Sequence, residues 1–204
     1  MRRVGPVGRA RQWLVVGLLA FSAVPGHARA GAIYQIDQRF ASIKFSVSAL
    51  GLLSLNGAFA RFEGVLVLDA QHPEASKVTI TIAAKSITMG LSAAVSQLRS
   101  RAFFDVARYP IVRFISRRVT RVAADFYRIR GNIEIRGVVR PLVLKARLVH
   151  LTRRHGRGPM VADFRVTGEL RRSSFGMVAD RALVSDLVHL RIDAHILLRG
   201  AAAG

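Results

Sequence analysis

Apolar and polar residues alternate with a period of two over most of the chain. Six rows are clear, and they run over Ile43 to Ala49, Val78 to Ile82, Tyr127 to Ile135, Leu142 to Leu148, Phe164 to Leu170 and Val188 to Leu198. Because successive side chains of a strand point to opposite faces, each row predicts a strand with one dry and one wet face. Further strands are expected at 55–63, 65–69 and 111–122, which gives eight or nine strands in all.

One segment has the spacing of a helix instead. Leu91, Val95, Leu98 and Ala102 recur at intervals of four, three and four residues, which places them on one helical face. Ser92 is expected to cap the start of this helix with its hydroxyl. Pro110 disfavours helical geometry at the residue before it, so an extended segment follows. Phe103 and Phe104 lie between the two elements and are expected to plug one end of a β structure.

The number and order of these elements predict the fold class. Only one helix interrupts the series of strands, which disfavours parallel units joined by crossover helices. An antiparallel sheet that is apolar on one side must close or fold over to hide that side from water. We therefore expect an all-β fold, a single closed antiparallel up-and-down β-barrel of about eight strands with one short helix. A β-sandwich is the alternative.

The first thirty residues have the features of a secretory signal peptide. Four arginines precede an apolar run of twelve residues from Trp13 to Val24, and Ala28-Arg29-Ala30 has the form of a cleavage site. A membrane span needs about 20 apolar residues, so a span is the weaker reading. The expected division is a signal peptide over 1–30 and one domain over 31–204, which makes the mature protein periplasmic.

Composition narrows the range of partners. The formal net charge is +20, and the five arginines of residues 1–30 leave about +15 on the rest of the chain. Such a charge indicates either a solvated basic surface or a partner with negative charge, such as anionic lipid or nucleic acid. Nucleic acid is disfavoured because the arginines are spread along many strands. The chain has no cysteine, which excludes disulfides and thiolate metal sites.

The residues offer little for catalysis or metal binding. There is no glycine-rich phosphate loop and no G-x-S-x-G nucleophile elbow. His189 and His195 share a strand face but lie about 20 Å apart at the rise of a strand, so one ion cannot bind both. Asp105 and Asp180 are expected to make structural ion pairs. We predict no catalytic residues, no metal site and no cofactor, and therefore a protein that is not an enzyme.

What remains is an apolar interior. An eight-stranded barrel can be filled by its own side chains or can hold one small ligand. Small residues occupy several inward positions, namely Ala49, Gly131, Ala146, Gly168 and Ala194. They either leave room for a ligand or allow the strands to coil, and both readings stay open on sequence alone.

A series of short motifs carries a family resemblance. In chain order they are Y-Q-I-D at Tyr34–Asp37, G-A-F-A-R-F-E-G at Gly57–Gly64, S-I-T-M-G at Ser86–Gly90, L-R-S at Leu98–Ser100, F-F-D at Phe103–Asp105, G-N-I-E-I-R-G-V-V-R-P-L at Gly131–Leu142 and R-S-S-F-G-M at Arg172–Met177. Together they resemble the bacterial YceI-like, polyisoprenoid-binding family. The resemblance implies a lipocalin-like antiparallel barrel that holds an isoprenoid lipid.

The alternation of apolar residues and the family motifs together give the candidate ligand-binding residues. Alternation points Phe45, Phe59, Phe114, Ile133 and Leu144 inward, and the flanking motifs add Phe103, Phe104, Phe175 and Met177. A long isoprenoid needs a dry tube lined by such groups, since its tail makes no hydrogen bonds. Arg99 of the L-R-S motif is expected to orient a polar head or to hold the helix by hydrogen bonds to carbonyls.

The chain departs from the family where polar head groups would be recognised. Phe40, Ala49 and Gln97 stand where the family commonly has histidine. We therefore expect a neutral or solvent-exposed head, which favours a polyprenol or quinone over a pyrophosphate.

The sequence is compatible with three functions. The leading hypothesis is a periplasmic carrier of an isoprenoid lipid or quinone, acting as a monomer or homodimer and without nucleic acid. The second is a barrel enzyme acting on a small apolar substrate, and the third is an envelope protein with a filled barrel that contacts anionic lipid through its surface arginines.

Overall fold

The computed structural model describes residues 32–69, 71–153 and 160–198. The predicted signal peptide lies outside the described residues. The elements in chain order are β1 Ala32–Asp37, β2 Ala41–Ala49, β3 Leu53–Phe59, β4 Phe62–Leu68, β5 Lys77–Ala83, β6 Ile87–Met89, α1 Ser92–Arg99, β7 Ile111–Ala123, β8 Phe126–Ile135, β9 Val138–Arg153, β10 Met160–Arg171 and β11 Val184–Leu198. Short 3-10 turns lie at Pro73–Ala75, Ala84–Ser86 and Arg172–Phe175.

All eleven strands belong to one antiparallel sheet. Their order across the sheet is β1-β4-β5-β7-β8-β9-β10-β11-β2-β3-β6. The order is open, with β1 and β6 as its edges, and the sheet curls into an open half-barrel. The all-β antiparallel class with one helix is confirmed, but the prediction of a closed eight-stranded barrel was wrong in both strand number and closure. The two short edge strands account for the extra count, because neither is long enough to give a clear alternation.

Two corners connect strands that lie far apart in the sheet order. The chain turns sharply at Ala60–Arg61 between β3 and β4, and again at Ala84–Ser86 between β5 and β6. The two corners are bonded to each other: Ala60 N donates to Ser86 O at 3.0 Å, and Ala83 N donates to Arg61 O at 3.0 Å. The buried Ser86 hydroxyl also accepts from Arg61 N at 3.0 Å. The chain and these bonds therefore connect β4 and β5, near one end of the sheet order, with β3 and β6 at the other end.

The expected strands 55–63 and 65–69 leave their break at Gly64, but the break between β3 and β4 lies at Ala60–Arg61. Gly64 lies inside β4, and a side chain there would collide with Ile80 on β5. The glycine thus permits close packing between strands and does not mark a turn. The true corner has neither glycine nor proline, so turn chemistry gave no signal for it.

The predicted dry faces form the core. On β2 the alternate residues Ile43, Phe45, Val47 and Ala49 are buried, and the same holds for the inward row of β9 at Leu142, Leu144 and Ala146. Most buried apolar residues join a single cluster against the concave face of the sheet. Burying each large side chain contributes about 1.5–3 kcal/mol, so this face supplies most of the favourable free energy of folding.

The helix is shorter and more weakly packed than expected. α1 ends at Arg99, and hydrogen-bonded turns replace the predicted extension to Ala102. Ser92 is the first helical residue and makes no side-chain cap, because the preceding Leu91 occupies the capping position. No residue of α1 is fully buried, although Leu98 packs against the core. In the described part of the chain, no helix combines the length and apolar character needed to cross a membrane.

Candidate functional site

The predicted inward residues meet in one apolar cluster. Eight of them are buried members of the core, and Phe104 is a half-buried member packed against it; the eight are Phe45, Phe59, Phe103, Phe114, Ile133, Leu144, Phe175 and Met177. They come from β2, β3, β7, β8 and β9, from the turn after α1, and from the segment between β10 and β11. The structure therefore places them together on the concave face, and their role in ligand binding stays a prediction.

A chain of aromatic rings leads from this cluster to the surface. The centroids of Phe45 and Phe59 are 5.8 Å apart, and those of Phe59 and Phe104 are 5.8 Å apart with the planes at 82°. Edge-to-face pairs of this kind are favourable for aromatic rings. Phe104 is the outermost ring, so it closes the aromatic end of the core.

The turn after α1 positions Phe103 and Phe104. Phe103 N donates to Ser100 O at 3.1 Å, and Phe104 N donates to Leu98 O at 2.9 Å. Asp105 then takes a left-handed conformation with φ 47°, and its amide donates to Ser100 O at 2.8 Å. Aspartate tolerates the left-handed region better than most residues do. The F-F-D motif therefore suits a tight turn, and this turn points both phenylalanine rings at the sheet.

Glycines on the inward rows are covered by neighbouring side chains. The Phe45 ring lies on Gly57, and a Cβ at Gly131 would be 2.6 Å from Phe114 Cζ. A Cβ at Gly168 would be 2.5 Å from Leu144 Cδ2. The space that these small residues open is therefore filled by the protein's own rings and methyl groups. Whether the small inward residues also leave room for a ligand stays a prediction.

Arg99 reaches from α1 to the edge of the sheet. Its Nη2 donates to Ile87 O on β6 at 3.2 Å. Its Nε is buried and has no hydrogen-bond partner among the described residues. The contact with Ile87 is the carbonyl bond that sequence reasoning offered as one of two roles. The other role, contact with a polar head, stays a prediction, and the unpaired Nε is the donor that such a head would meet.

Arg172 is a residue that sequence reasoning missed. It is only 4% exposed, and its guanidinium donates to four backbone carbonyls: Ser185, Met177, Ala179 and Val184. Its Cζ lies 5.8 Å from the centre of the Phe103 ring. Arg172 lies in the R-S-S-F-G-M motif, but it directly follows Arg171, which is exposed. Nothing in the sequence shows which of the two arginines is buried. It fixes the segment that carries Phe175 and Met177.

Asp186 holds the same segment from the other side. Its carboxylate accepts from Ser173 N at 2.9 Å and from Ser173 Oγ at 2.8 Å. Burial raises the pKa of Asp186, but the two bonds from Ser173 and the nearby Arg181 and Arg171 outweigh burial. The net pKa lies below its ordinary value, so the carboxylate stays ionised and keeps both hydrogen bonds near neutral pH.

The positions that depart from the family are scattered in space. Phe40 is exposed under the guanidinium of Arg39, whereas Ala49 is buried at the end of β2. The Gln97 amide donates to Asp180 Oδ2 at 2.6 Å, which ties α1 to the loop before β11. The ion pair expected for Asp180 is thus replaced by a hydrogen bond to a neutral amide.

Two concave regions lie beside the apolar cluster, and the larger one shares Phe45 and Leu142 with it. An open pocket of about 560 Å³ is lined by Arg101, Asp105, Ala107, Arg108 and Arg136 near the end of α1. A larger groove of about 980 Å³ crosses the wet face of the sheet. Its lining combines charged side chains such as Lys44, Lys145 and Arg191 with apolar residues.

Histidines and acids form surface pairs. His195 Nδ1 lies 2.7 Å from Asp163 Oδ1, and His189 Nδ1 lies 3.2 Å from Glu169 Oε1. Within residues 32–69, 71–153 and 160–198, no group of three or more such side chains is placed to hold a metal ion. The arrangement at the apolar cluster can therefore bind by burial, with Arg99 Nε as its one unused buried donor in the described residues.

Comparison with known proteins identifies relatives. The family model for the YceI-like domain matches residues 34–196. A protein of Azotobacter vinelandii described as a UPF0312 protein is 33% identical over 177 residues, covering 84% of this chain and 90% of that protein.

Solved structures share the fold. The crystal structure of BcnA from Burkholderia cenocepacia is similar, with a TM-score of 0.67 and 19% identity, covering 78% of this chain and 96% of that one. A polyisoprenoid binding domain from Saccharophagus degradans matches with a TM-score of 0.57 and 14% identity, covering 82% of this chain and 99% of that domain.

Proposed function

Because this chain belongs to the YceI-like family, we propose that it binds an isoprenoid lipid against the concave face of its sheet and carries it in the periplasm. The observation that carries the proposal is the continuous apolar cluster from Phe104 at the surface to Ile133 and Leu144 inside. An isoprenoid tail is stabilised by burial alone, at about 0.8 kcal/mol for each methylene. A few isoprene units therefore suffice to offset the cost of association.

Loading is expected to move side chains, since neighbouring rings and methyl groups cover Gly57, Gly131 and Gly168 on the inward rows. The Phe45 ring occupies the space above Gly57, and Phe104 closes the aromatic row. α1 is the element that can move most easily, because none of its residues is fully buried. Entry by displacement of Phe104 and α1 would open the row of rings to the tail without breaking a strand.

The proposed head group is neutral, a polyprenol or a quinone. All three guanidinium nitrogens of Arg172 already donate to carbonyls, and Gln97 is bonded to Asp180. That leaves the buried Arg99 Nε as the donor for a carbonyl or hydroxyl oxygen. The alternative is a pyrophosphate head held outside the cluster, and the arginine-lined pocket of Arg101, Arg108 and Arg136 favours it.

The test is to load purified protein with matched polyprenols, quinones and polyprenyl pyrophosphates and to measure the bound mass by native mass spectrometry. The variants are Ile133→Trp, which fills the interior, and the milder Leu144→Phe. Val143→Trp is the control, because Val143 is the outward neighbour of Leu144 on β9. Thermal unfolding establishes that each variant is folded.

We expect binding of the neutral lipids by wild type and Val143→Trp, and a loss of about tenfold or more in the two interior variants, as overpacking removes the space for the tail. Equal binding by a folded interior variant would reject the interior site. A strong preference for pyrophosphate would keep the site and reject the neutral head.

A further inference from the structure

Leucines are exposed at one end of the molecule, at the tip of the β2–β3 turn. Leu52 is 95% exposed and Leu50 is 65% exposed, and the neighbouring Leu53 is more than half exposed. Water-exposed leucines are common singly, but contiguous apolar patches mark interaction sites.

A second loop extends this patch. Leu50 N donates to Leu183 O at 2.8 Å, so the turn lies directly against the loop before β11. Leu183 and Val178 of that loop are both more than half exposed. We call these five residues, Leu50, Leu52, Leu53, Val178 and Leu183, the leucine tip.

Leu50 has a backbone conformation that disfavours leucine. Leu50 has φ 50° and Gly51 has φ 74°, the sign pattern of a type I′ turn. Asparagine, aspartate or glycine is favoured at such a position, and a leucine there is sterically costly. The chain thus places a large apolar side chain at a strained and exposed point, where folding alone gains little from it.

Arginines lie on and beside the loop that carries Val178 and Leu183. Arg181 is exposed on the same loop as Leu183. Arg136 Nη1 donates to Gly176 O at 2.8 Å, which joins Arg101, Arg108 and Arg136 to the segment leading to Val178. The acids of this region are Asp105, Asp180 and the half-buried Asp186, so arginines outnumber them.

We propose that the leucine tip is a membrane-docking surface, which inserts its leucines among the lipids of an anionic phospholipid bilayer while the nearby arginines contact the head groups. Apolar insertion combined with a basic rim is how interfacial binding gains strength, and anionic head groups complement the arginines. The purpose of docking rests on the proposed lipid-carrier function. Gln97 bonds the loop of the leucine tip to α1, so docking brings the bilayer to the helix beside Phe104.

The test measures binding to vesicles of phosphatidylglycerol mixed with phosphatidylcholine and to vesicles of phosphatidylcholine alone. The test variant combines Leu52→Gln with Leu183→Gln. Ile33→Gln is the matched control, since Ile33 is 69% exposed on the edge strand β1, which ends the sheet. All variants are made in the protein that begins at Gly31, so the apolar run of residues 13–24 contributes nothing to vesicle binding.

We expect wild type and Ile33→Gln to bind the anionic vesicles, more weakly at high salt because the arginine contribution is screened. The double leucine variant should bind about tenfold or more weakly, since two apolar side chains no longer leave water. Equal binding by all three proteins, or no vesicle binding by wild type, would overturn the proposal. A change in self-association measured by sedimentation, with vesicle binding unaltered, would assign the leucine tip to a second copy of the chain and also overturn it.

Isoprenoid binding in solution is measured on the same proteins to separate the two proposals. Loss of vesicle binding with isoprenoid binding retained supports the leucine tip as a docking surface. Vesicle binding by a wild-type protein that takes up no isoprenoid would keep docking and reject the carrier function.

Discussion

At the scale of single residues, packing on the concave face depends on glycines that make room for aromatic rings. Gly57 and Gly131 each lie under a phenylalanine ring from the neighbouring strand. Alternation in the sequence identified Gly131 as an inward position, whereas Gly57 appeared only at the start of the G-A-F-A-R-F-E-G motif. The sequence could not show that a ring from the next strand fills the gap, because that depends on register between segments distant in the chain.

Gly57→Ala is therefore expected to destabilise the protein by about 1–3 kcal/mol, because the added methyl group collides with the Phe45 ring in a packed interior. Urea unfolding measures the change. Gly90→Ala is the control, since a Cβ at Gly90 meets nothing within 4 Å. The double change Gly57→Ala with Phe45→Leu should recover part of the loss. A Gly57→Ala protein as stable as Gly90→Ala would contradict the packing described.

Arg172 belongs to the same scale. Arg172→Met should cost about 3–5 kcal/mol in the free energy of unfolding, because it leaves buried carbonyl groups without a donor. Arg171→Met is the matched control, since the exposed Arg171 makes only a surface ion pair with Asp186 at 3.6 Å. If the two variants unfold at the same urea concentration, the four carbonyl bonds of Arg172 contribute no net stability.

At the scale of elements, strand faces were predictable and corners were not. The dry rows of β2, β8 and β9 follow from a period of two, which is a local property of the sequence. The corners at Ala60–Arg61 and Ala84–Ser86 depend on hydrogen bonds between two segments, with Ser86 at the centre. Such bonds leave no periodic signal. The helix end at Arg99 was also missed, because the F-F-D turn continues the helical spacing without helical hydrogen bonds.

Arg99 is the main polar link between α1 and the sheet edge. Arg99→Ala should raise the hydrogen-exchange rates of α1 amides, since it removes the bond to Ile87 O from a helix without fully buried residues. Arg101→Ala serves as the control, because only the backbone carbonyl of Arg101 is used, by Arg136. Unchanged exchange in α1 together with unchanged lipid binding would make Arg99 an ordinary surface residue.

At the scale of the whole molecule, the sequence indicated an all-β protein with one apolar interior, and the structure has that interior in an open half-barrel. Closure could not be predicted from strand count, because the count does not show which strands pair and the edge strands β1 and β6 are short. The motifs placed the candidate residues in one cluster. They did not show that rings and methyl groups from neighbouring strands cover the inward glycines, since this depends on side-chain contacts across strands.

Export is a prediction about the complete chain. We expect the protein recovered from the periplasm to begin at Gly31, because the apolar run of residues 13–24 ends before the small-residue pattern at Ala28–Ala30. Amino-terminal sequencing of the periplasmic protein checks this. Recovery of the uncleaved chain in the inner membrane would contradict it.

The central claim is that an isoprenoid tail lies against the concave face of the sheet. It is tested most directly by photo-crosslinking with a polyprenol that carries a diazirine along its tail, followed by peptide mapping. The account predicts labels on inward residues such as Phe45, Phe59 and Phe104, and competition by unlabelled polyprenol. Labels confined to the wet face, for example at Val65 or Val143, would contradict it.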